Sequence, residues 1–406
     1  MTDVETTPKD PPTPPSEDKE TGWKARITGV GEGMRRALLV PSLALLLALV
    51  VGAIIIMATD IDAWDRMNEA PLLAIGDMFE GVWRSYRALF RGAFGDVRAI
   101  SETLFTATPL ILAGLGVALG FRAGLFNIGA RGQMFMGGLA ALWVALHVDL
   151  PGVLLIPLAI VASIIGGGIW GGLTGYLRAR TGAHEVITTI MFNLIAAQAI
   201  LFALKTPVFQ AEGQQQPQSE QIPEAARLGT LFGPSYRVNI GLIIALLAVA
   251  GIYWLLFKST LGFEFRAAGF SPSASLYAGM NVAFLYTAVM FISGGLAGIA
   301  GAAMTLGLPP YVVFSNFAGN IGFDAISLAL LGRSHPVGVL WAGLLFGALT
   351  AGGRVMQAAA GASVDLVIVM QALIVVFIAA PELVRKIFRL KRGDEEATMI
   401  TQGWGA

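Results

Sequence analysis

The sequence lacks cysteine altogether and contains only three histidines among its 406 residues. Without cysteine the chain has no disulfide, no iron–sulfur cluster and no thiolate-bound zinc. His147, His184 and His335 are too far apart in the sequence to show the spacing of a metal site. We therefore expect no metal and no cofactor bound by this chain.

Motifs for nucleotide binding and catalysis are also missing. There is no G-x-x-x-x-G-K-[ST] sequence, so the chain cannot hold ATP phosphates in the P-loop manner. The motifs G-x-S-x-G and H-E-x-x-H and a paired-carboxylate layout are absent as well. The sequence therefore predicts a protein that is not an enzyme. If ATP drives its activity, a separate subunit must bind ATP and Mg²⁺ and hydrolyse the nucleotide.

Charged residues are scarce and balanced in sign. They make up 13% of the chain, with 27 basic and 27 acidic side chains, whereas a soluble domain has about 25%. A net charge of zero gives no reason to expect nucleic acid as a partner. Apolar residues make up 55%, and the mean hydropathy is +0.69. So few charges cannot cover so apolar a chain, and its solvent must therefore largely be lipid.

The apolar residues are grouped in runs long enough to cross a bilayer, which takes about 20 residues as a helix. These runs predict an all-α integral membrane protein with about ten transmembrane helices. The predicted spans are residues 37–57, 104–120, 125–147, 153–177, 186–204, 240–257, 282–306, 321–331, 337–352 and 364–380. They lie in one transmembrane domain, residues 37–384.

Basic residues predict the orientation, because Lys and Arg collect in cytoplasmic loops. With ten spans, the basic loops and both chain ends fall on the same side, and Arg354 is the exception in an outer turn. Both termini are therefore expected in the cytoplasm. Residues 1–36 are polar and rich in proline, which predicts a disordered tail. Residues 385–406 are predicted to form a basic cytoplasmic tail.

Three connections are long enough to have roles of their own. In the outer segment 60–103, residues 78–94 have the apolar spacing of an amphipathic helix, which we place on the outer membrane interface. The outer loop 205–237 is too polar to enter the bilayer and is predicted to be exposed and available to a partner. The cytoplasmic loop 258–281 is either an ordinary turn or a short helix on which a soluble motor docks.

The stretch GLFNIGARGQMFMGG, residues 124–138, interrupts apolar sequence with glycine and polar side chains. Polar groups at membrane depth are tolerated only inside protein or beside a water-filled cavity. Asn127 and Gln133 therefore either line a path for a neutral polar solute or bond neighbouring helices to each other. Both interpretations remain open from this segment.

A second polar pattern lies in the fifth span. Glu185, Thr189 and Asn193 follow one another at intervals of four, so they share one face of a helix. The stripe favours a cavity lining, and the alternative is an interfacial Glu with a satisfied buried Asn. Asp324 begins a short apolar span, where an acid is either functional or at the outer surface.

An internal similarity relates two parts of the chain. LAGLG at residues 112–116 precedes NIG at 127–129, and LAGIAG at 296–301 precedes NIG at 320–322. The second and seventh spans, which carry LAGLG and LAGIAG, run in opposite directions. That arrangement is typical of an inverted-topology repeat with broken helices near the membrane midplane.

Five segments together resemble one family. They are FNIGARGQM from Phe126, GAHEVITTIMFNLIA from Gly182, QSEQIPEAARL from Gln218, FRAAGFSPSASLYAGMNV from Phe265 and GFDAISLALLGRSHPVGVL from Gly322. In this order they are similar to the permease subunits of ABC importers of the branched-chain amino acid and simple-sugar class, most closely the nucleoside branch linked to basic membrane proteins. The chain departs from the family pattern at Arg131, His184, Ser271 and Ser275.

The resemblance implies the inverted-repeat permease fold and a multi-pass position in the bacterial cell membrane. It also implies a second permease chain, cytoplasmic ATP-binding subunits that hold ATP and Mg²⁺, and an extracytoplasmic solute-binding lipoprotein or protein. Nucleosides are the cargo that it suggests. The alternatives are a ribose, other simple-sugar or branched-chain amino acid permease, or an ion-coupled secondary transporter.

Two sets of residues are assigned roles on these grounds. The predicted substrate pathway contains Phe126, Asn127, Gln133, Glu185, Thr189, Asn193 and Asp324. The predicted coupling segment, carried over from the family, contains Arg266, Ala267, Ala268, Gly269, Pro272, Ala274 and Tyr277.

Overall fold

The computed structural model describes residues 42–211, 213–360, 364–380 and 386–388. The predicted tail 1–36 lies outside these residues, as does the predicted tail 385–406 apart from residues 386–388. The part of the chain that is described consists of α-helices and their connections, with isolated β-bridges in the loops. An all-α protein is therefore confirmed.

The helices follow one another along the chain with mostly short connections, apart from the longer ones between α7 and α8 and between α11 and α12. In order they are α1 (Ser42–Ala58), α2 (Ile61–Arg66), α3 (Pro71–Phe94), α4 (Val97–Arg122), α5 (Ala130–His147), α6 (Gly152–Thr181), α7 (Glu185–Ala203), α8 (Gly241–Lys258), α9 (Thr260–Phe270), α10 (Pro272–Tyr277), α11 (Val282–Gly307), α12 (Ile321–Leu331), α13 (Pro336–Ala360) and α14 (Val364–Ala379).

Each predicted span overlaps one of these helices. Six of them, α4, α6, α7, α8, α11 and α13, are long and apolar enough to cross a membrane, and α1, α12 and α14 are shorter apolar helices. The remaining helix, α5, is less hydropathic because it contains Arg131, Gln133 and His147. About ten membrane helices are therefore confirmed, and what the structure adds is that some of them are short.

The centre of the bundle is packed through glycine. Helices α6 and α11 lie so close that a Cβ added at Gly298 would overlap the backbone carbonyl of Ser163, and one at Gly294 would overlap that of Gly167. Gly301 makes the same kind of contact with Met134 on α5. Small residues let helix backbones approach in a membrane, where van der Waals contact rather than the hydrophobic effect drives association.

The amphipathic segment forms a longer helix than predicted. Helix α3 packs on α13, where a Cβ at Gly92 would overlap Val355. It also packs on α1, where the Tyr86 hydroxyl donates a hydrogen bond to the Leu49 carbonyl. The exposed side of α3 is rich in large apolar residues, among them Leu72 and Trp83. Its placement on the outer interface stays a prediction.

The outer loop is partly docked on the bundle rather than exposed throughout. Backbone amides of Ser219 and Ile222 donate to the carbonyls of Val313 and Tyr311, at 3.0 and 2.9 Å, in the connection after α11. Ile222 is fully buried. The reason is local: this loop and the α11–α12 connection both need partners for their backbone groups, and they supply them to each other.

Candidate functional site

The polar stretch of the sequence is a break between α4 and α5. Helix α4 ends at Arg122, and residues 123–129 lead to the start of α5. Gly124 has a φ of +71°, a conformation that glycine adopts without steric cost, and the amide of Leu125 closes the end of α4 by donating to the Gly120 carbonyl at 2.9 Å. The break therefore begins at Gly124, the first glycine of the polar stretch.

A network of side-chain amides fills the break. The Asn127 Oδ1 accepts from the amide of Gly129 at 2.8 Å, and its Nδ2 donates to Gln133 Oε1 at 3.1 Å and to Ser293 Oγ at 2.8 Å. Ser293 in turn donates to the Gly116 carbonyl at 2.7 Å. Asn127 and Ser293 are fully buried and Gln133 is nearly so. The network joins α4, α5 and α11.

Asn193 joins α7 to the same break. Its Oδ1 accepts from the amide of Gly132 and its Nδ2 donates to the carbonyl of Ile128, both at 2.8 Å. Helix α5 begins at a glycine N-cap without a capping side chain of its own. The first amides of a helix have no partner within it, so Asn193 supplies from another helix the acceptor that the N-terminus of α5 lacks.

The polar stripe of α7 faces inward as its spacing predicts. Glu185, Thr189 and Asn193 are all on the buried side of the helix. Thr189 donates to the carbonyl of Glu185 at 2.7 Å, and the Glu185 carboxylate lies 3.3 Å from Arg178 Nε at the end of α6. Glu185 is therefore one half of an ion pair where α6 and α7 meet.

The predicted pathway residues are thus brought together in part. Asn127, Gln133, Thr189 and Asn193 form one buried cluster whose polar atoms bond to protein. Two further predicted residues are half-buried outside the cluster: Phe126, whose ring lies 4.7 Å from that of Phe121, and Asp324 on α12. In this conformation the amides bond helices to each other, and their exposure to a solute stays a prediction.

The second NIG motif begins a second broken helix beside the first. Helix α12 starts at Ile321 and has only 11 residues, about 16 Å or half the hydrocarbon core of a bilayer. Gly322 lies directly against the backbone of Arg131, so that a Cβ there would overlap it. The N-termini of α5 and α12 therefore meet inside the bundle, as an inverted repeat with broken helices requires.

Arg131 occupies this meeting point. Its Nη2 donates to Asn316 Oδ1 at 2.7 Å, and its guanidinium lies 5.4 Å from the ring centre of Phe135. Its Nε is enclosed and has no acceptor among the described residues. The sequence marked Arg131 as a departure from the family pattern, but it gave no sign of Asn316 or Ser293, whose partners lie 166 or more residues away in the chain.

The coupling segment folds as two helices. Ser271 ends α9 and caps α10, because its Oγ accepts from the amide of Ala274 at 3.3 Å. The buried side of α9 includes Ala268, and Gly269 packs on the α4–α5 break so closely that a Cβ would overlap the Arg122 carbonyl. Helix α10 points away, and Tyr277 is 94% exposed.

The remaining residues predicted for coupling lie around this contact. Arg266 and Ala267 are half-buried, and the guanidinium of Arg266 lies 5.4 Å from the ring centre of Phe257. Pro272 and Ala274 are exposed on α10. A groove of about 720 Å³ opens beside them, between the α8–α9 and α10–α11 connections. One face of the predicted coupling segment thus packs on the α4–α5 break, and the other face is exposed.

A cluster at the same end of the bundle fixes the last turn of α4. Arg122 donates to the carbonyl of Ser334 at 2.9 Å, and His335 stacks on Phe257 with ring centres 5.2 Å apart. Partial burial, and next the charge of Arg122, lower the pKa of His335 below its usual value of 6.5. The cluster connects α4, α8 and the α12–α13 turn. We assign this cluster no catalytic or binding role.

Among residues 42–211, 213–360, 364–380 and 386–388, no group of three His, Asp or Glu side chains is placed to hold an ion.

Comparisons with known proteins agree with this architecture. The family model described as the branched-chain amino acid transport system / permease component matches residues 99–379. A guanosine ABC transporter permease of Bacillus subtilis is 37% identical over 86% of this chain and 94% of its own length. A nucleoside ABC transporter permease of Lactococcus lactis is 36% identical over 85% and 91%.

A glucose ABC transporter permease of Haloferax volcanii is equally similar, at 36% identity over 89% of this chain and 93% of the relative. No solved structure matches the chain. The family model covers well over half of the chain, and the relatives align along nearly all of it. The chain therefore belongs to the family of branched-chain amino acid transport system permease components, as the membrane-spanning permease subunit of an ABC importer.

Proposed function

We propose that this permease imports nucleosides. What carries the proposal is that two relatives named for guanosine or nucleoside transport align at 36–37% identity along nearly the whole chain. The surface where the two broken helices meet supports it, because Arg131 and Asn316 place hydrogen-bonding groups there, and Phe323, the residue after Gly322, is 43% exposed. A nucleobase needs such hydrogen-bonding groups together with an aromatic face.

Glucose is the second candidate cargo, because the Haloferax relative is as similar as the others. Uptake distinguishes the two. Cells without their own nucleoside uptake would receive this permease with its neighbouring subunits, and the entry of labelled guanosine, adenosine and glucose would be measured. We expect nucleoside entry that unlabelled glucose does not reduce. Glucose entry that unlabelled nucleosides do not reduce would refute the proposal.

ATP is the expected energy source, supplied by two cytoplasmic ATP-binding subunits that hold ATP and Mg²⁺. A variant of those subunits that binds but cannot hydrolyse ATP should abolish uptake. An ion-coupled transporter would behave differently: uptake would continue with the inactive subunits and stop when the proton or sodium gradient is collapsed. This outcome would rule out ATP-driven import.

We infer that the cargo passes where α5 and α12 begin, with the amide cluster as part of the gate. In the described conformation Asn127, Gln133, Thr189 and Asn193 are closed off by protein. Their bonds run between helices, so a shift of α7 or α11 relative to α5 would expose amide groups to which a polar solute can bond. Such alternation between two arrangements of a broken-helix repeat is the general mode of these folds.

Motor docking is assigned to α9 and α10. Tyr277 and Leu276 are exposed at 94% and 60%, while Gly269 on the other side contacts the turn that leads to Asn127. A push on α10 would therefore reach the amide cluster through one rigid contact. Scrambling residues 266–277 should abolish solute-stimulated ATPase activity and leave membrane insertion intact. ATPase activity that still responds to solute would show that docking occurs elsewhere.

The outer side of the protein has the loop suited to a solute receptor. Within residues 205–237, Phe232 and Val208 are exposed at 66% and 46%, although the middle of the loop is docked on the bundle. We assign the binding of an extracytoplasmic solute-binding lipoprotein or protein to this exposed part. A second permease chain, identical or homologous, completes the assembly in the bacterial cell membrane, with both termini in the cytoplasm.

A further inference from the structure

The exposed side of α3 carries a groove whose lining includes none of the residues proposed for the substrate pathway. Its volume is about 470 Å³. The walls are aromatic, since Trp83, Phe90 and Phe94 line it with exposed fractions of 66%, 53% and 57%. These side chains repeat at the spacing of helix turns and together form an apolar trough on the outside of the bundle.

Two arginines lie in the same groove. Arg87 and Arg91 are one helical turn apart, and both are exposed. Among the described residues, no carboxylate lies within ion-pair distance of either guanidinium. The next acid along the chain, Asp96, is engaged in capping α4, where it accepts from the amide of Ala99 at 2.7 Å. Two guanidinium groups therefore lack an anion.

The groove lies at the end of α3 next to the polar outer loop, where we predict that water meets lipid. Gly95 forms its end and is followed at once by α4, whose first turns are bonded to the polar outer loop. Ser101 Oγ accepts from the amides of Arg237 and Val238 at 3.0 Å, and Glu102 pairs with the Arg237 guanidinium, also at 3.0 Å. Trp and Tyr, which line the groove as Trp83 and Tyr86, are enriched at membrane–water interfaces.

We propose that this groove binds one anionic phospholipid. The phosphate is held by Arg87 and Arg91, whose forked donors suit phosphate oxygens. An acyl chain lies along Trp83, Phe90 and Phe94. The occupant is a lipid rather than a soluble phosphate because the walls are apolar. It is anionic rather than zwitterionic because two cations without a counter-charge attract a net negative head group, and an ammonium group would be repelled.

The test uses the full-length chain purified in detergent. Phosphatidylglycerol or phosphatidylcholine is added in equal amounts, and bound lipid is counted by native mass spectrometry. The groove variant is Arg87→Gln with Arg91→Gln. The matched control is Arg84→Gln with Arg98→Gln, which removes two exposed arginines of the same region that do not line the groove.

We expect the unchanged chain and the control variant to retain one phosphatidylglycerol tightly and phosphatidylcholine weakly. The affinity of the groove variant for phosphatidylglycerol should be lower by a factor of about ten or more. The single variants Arg87→Gln and Arg91→Gln should each show an intermediate loss. They change exposed side chains only, so they remain informative if the double variant does not fold.

Three results would overturn the proposal. Equal losses in the groove and control variants would mean that binding is a general effect of basic charge. Equal retention of the two lipids would mean that the arginines do not select the head group. Displacement of the bound lipid by millimolar glycerol phosphate would mean that the site holds a soluble phosphate and that the aromatic walls contribute nothing.

Discussion

Replacing Asn193 tests whether the amide cluster supports the fold as well as the pathway. Asn193→Ala removes two hydrogen bonds and leaves the Gly132 amide and the Ile128 carbonyl without their partner. In a soluble protein each buried group left unpaired costs about 1–3 kcal/mol. Interhelical bonds in membranes measure lower, about 0.6 and at most about 1.7 kcal/mol each, because the unfolded helices find other partners.

The membrane values apply here, so two bonds give a loss of about 1–3 kcal/mol in the free energy of unfolding. This corresponds to a change of about five- to hundredfold in the ratio of folded to unfolded protein. The assay is reversible unfolding of the purified chain by titration with a denaturing detergent. Asn320→Ala is the matched control, because Asn320 is exposed at the start of α12 and makes no capping bond.

Equal unfolding free energies for the two variants would refute the reasoning that Asn193 caps α5. If Asn193 lines the pathway but does not stabilise the fold, Asn193→Ala should reduce uptake and leave the free energy of unfolding unchanged. If both roles apply, stability and uptake fall together, and uptake should fall further than the amount of folded protein in the membrane explains.

Three further predictions concern packing, coupling and pH. Gly298→Val should prevent stable folding, measured as the yield of monodisperse protein, because it forces α6 and α11 apart; Gly251→Val, in open space on α8, should not. Gly269→Val should separate α9 from the break and lower solute-stimulated ATPase activity while the ATP-binding subunits still copurify, and loss of copurification instead would contradict this. His335 has a lowered pKa, so the stability that it contributes is present above pH 6.5 and lost as the pH falls further. The melting temperature of His335→Phe should therefore change less between pH 7.5 and 5.5 than that of the unchanged chain, and identical profiles would exclude the effect.

The two broken helices place two helix N-termini side by side inside the bundle. A pair of helices that begin inside the bundle leaves two sets of unpaired amides facing one place. Asn193 satisfies one of the α5 amides from another helix, and Arg131 lies where α12 approaches. Because these bonds link separate helices, a movement of one helix relative to another changes them. A contact from helix α9 reaches the same break through Gly269.

The amino-acid sequence alone was enough to predict an all-α membrane protein with about ten membrane helices at approximately the right places. This is possible because crossing a bilayer requires a local property, namely a run of apolar residues of sufficient length. The inward side of α7 was also determined, since residues 185, 189 and 193 share a face through helix geometry alone. The glycine break at Gly124 could likewise be located from a short stretch.

The hydrogen-bond partners of the polar groups, by contrast, became known only from the folded chain. The sequence left two interpretations of Asn127 and Gln133, and the choice depends on Ser293, which is 166 residues from Asn127 in the chain. The division of the coupling segment into α9 and α10, and the docking of the outer loop, likewise depend on distant partners. Hydrogen bonds and close backbone contacts form between residues that folding brings together, and no local pattern records those pairings.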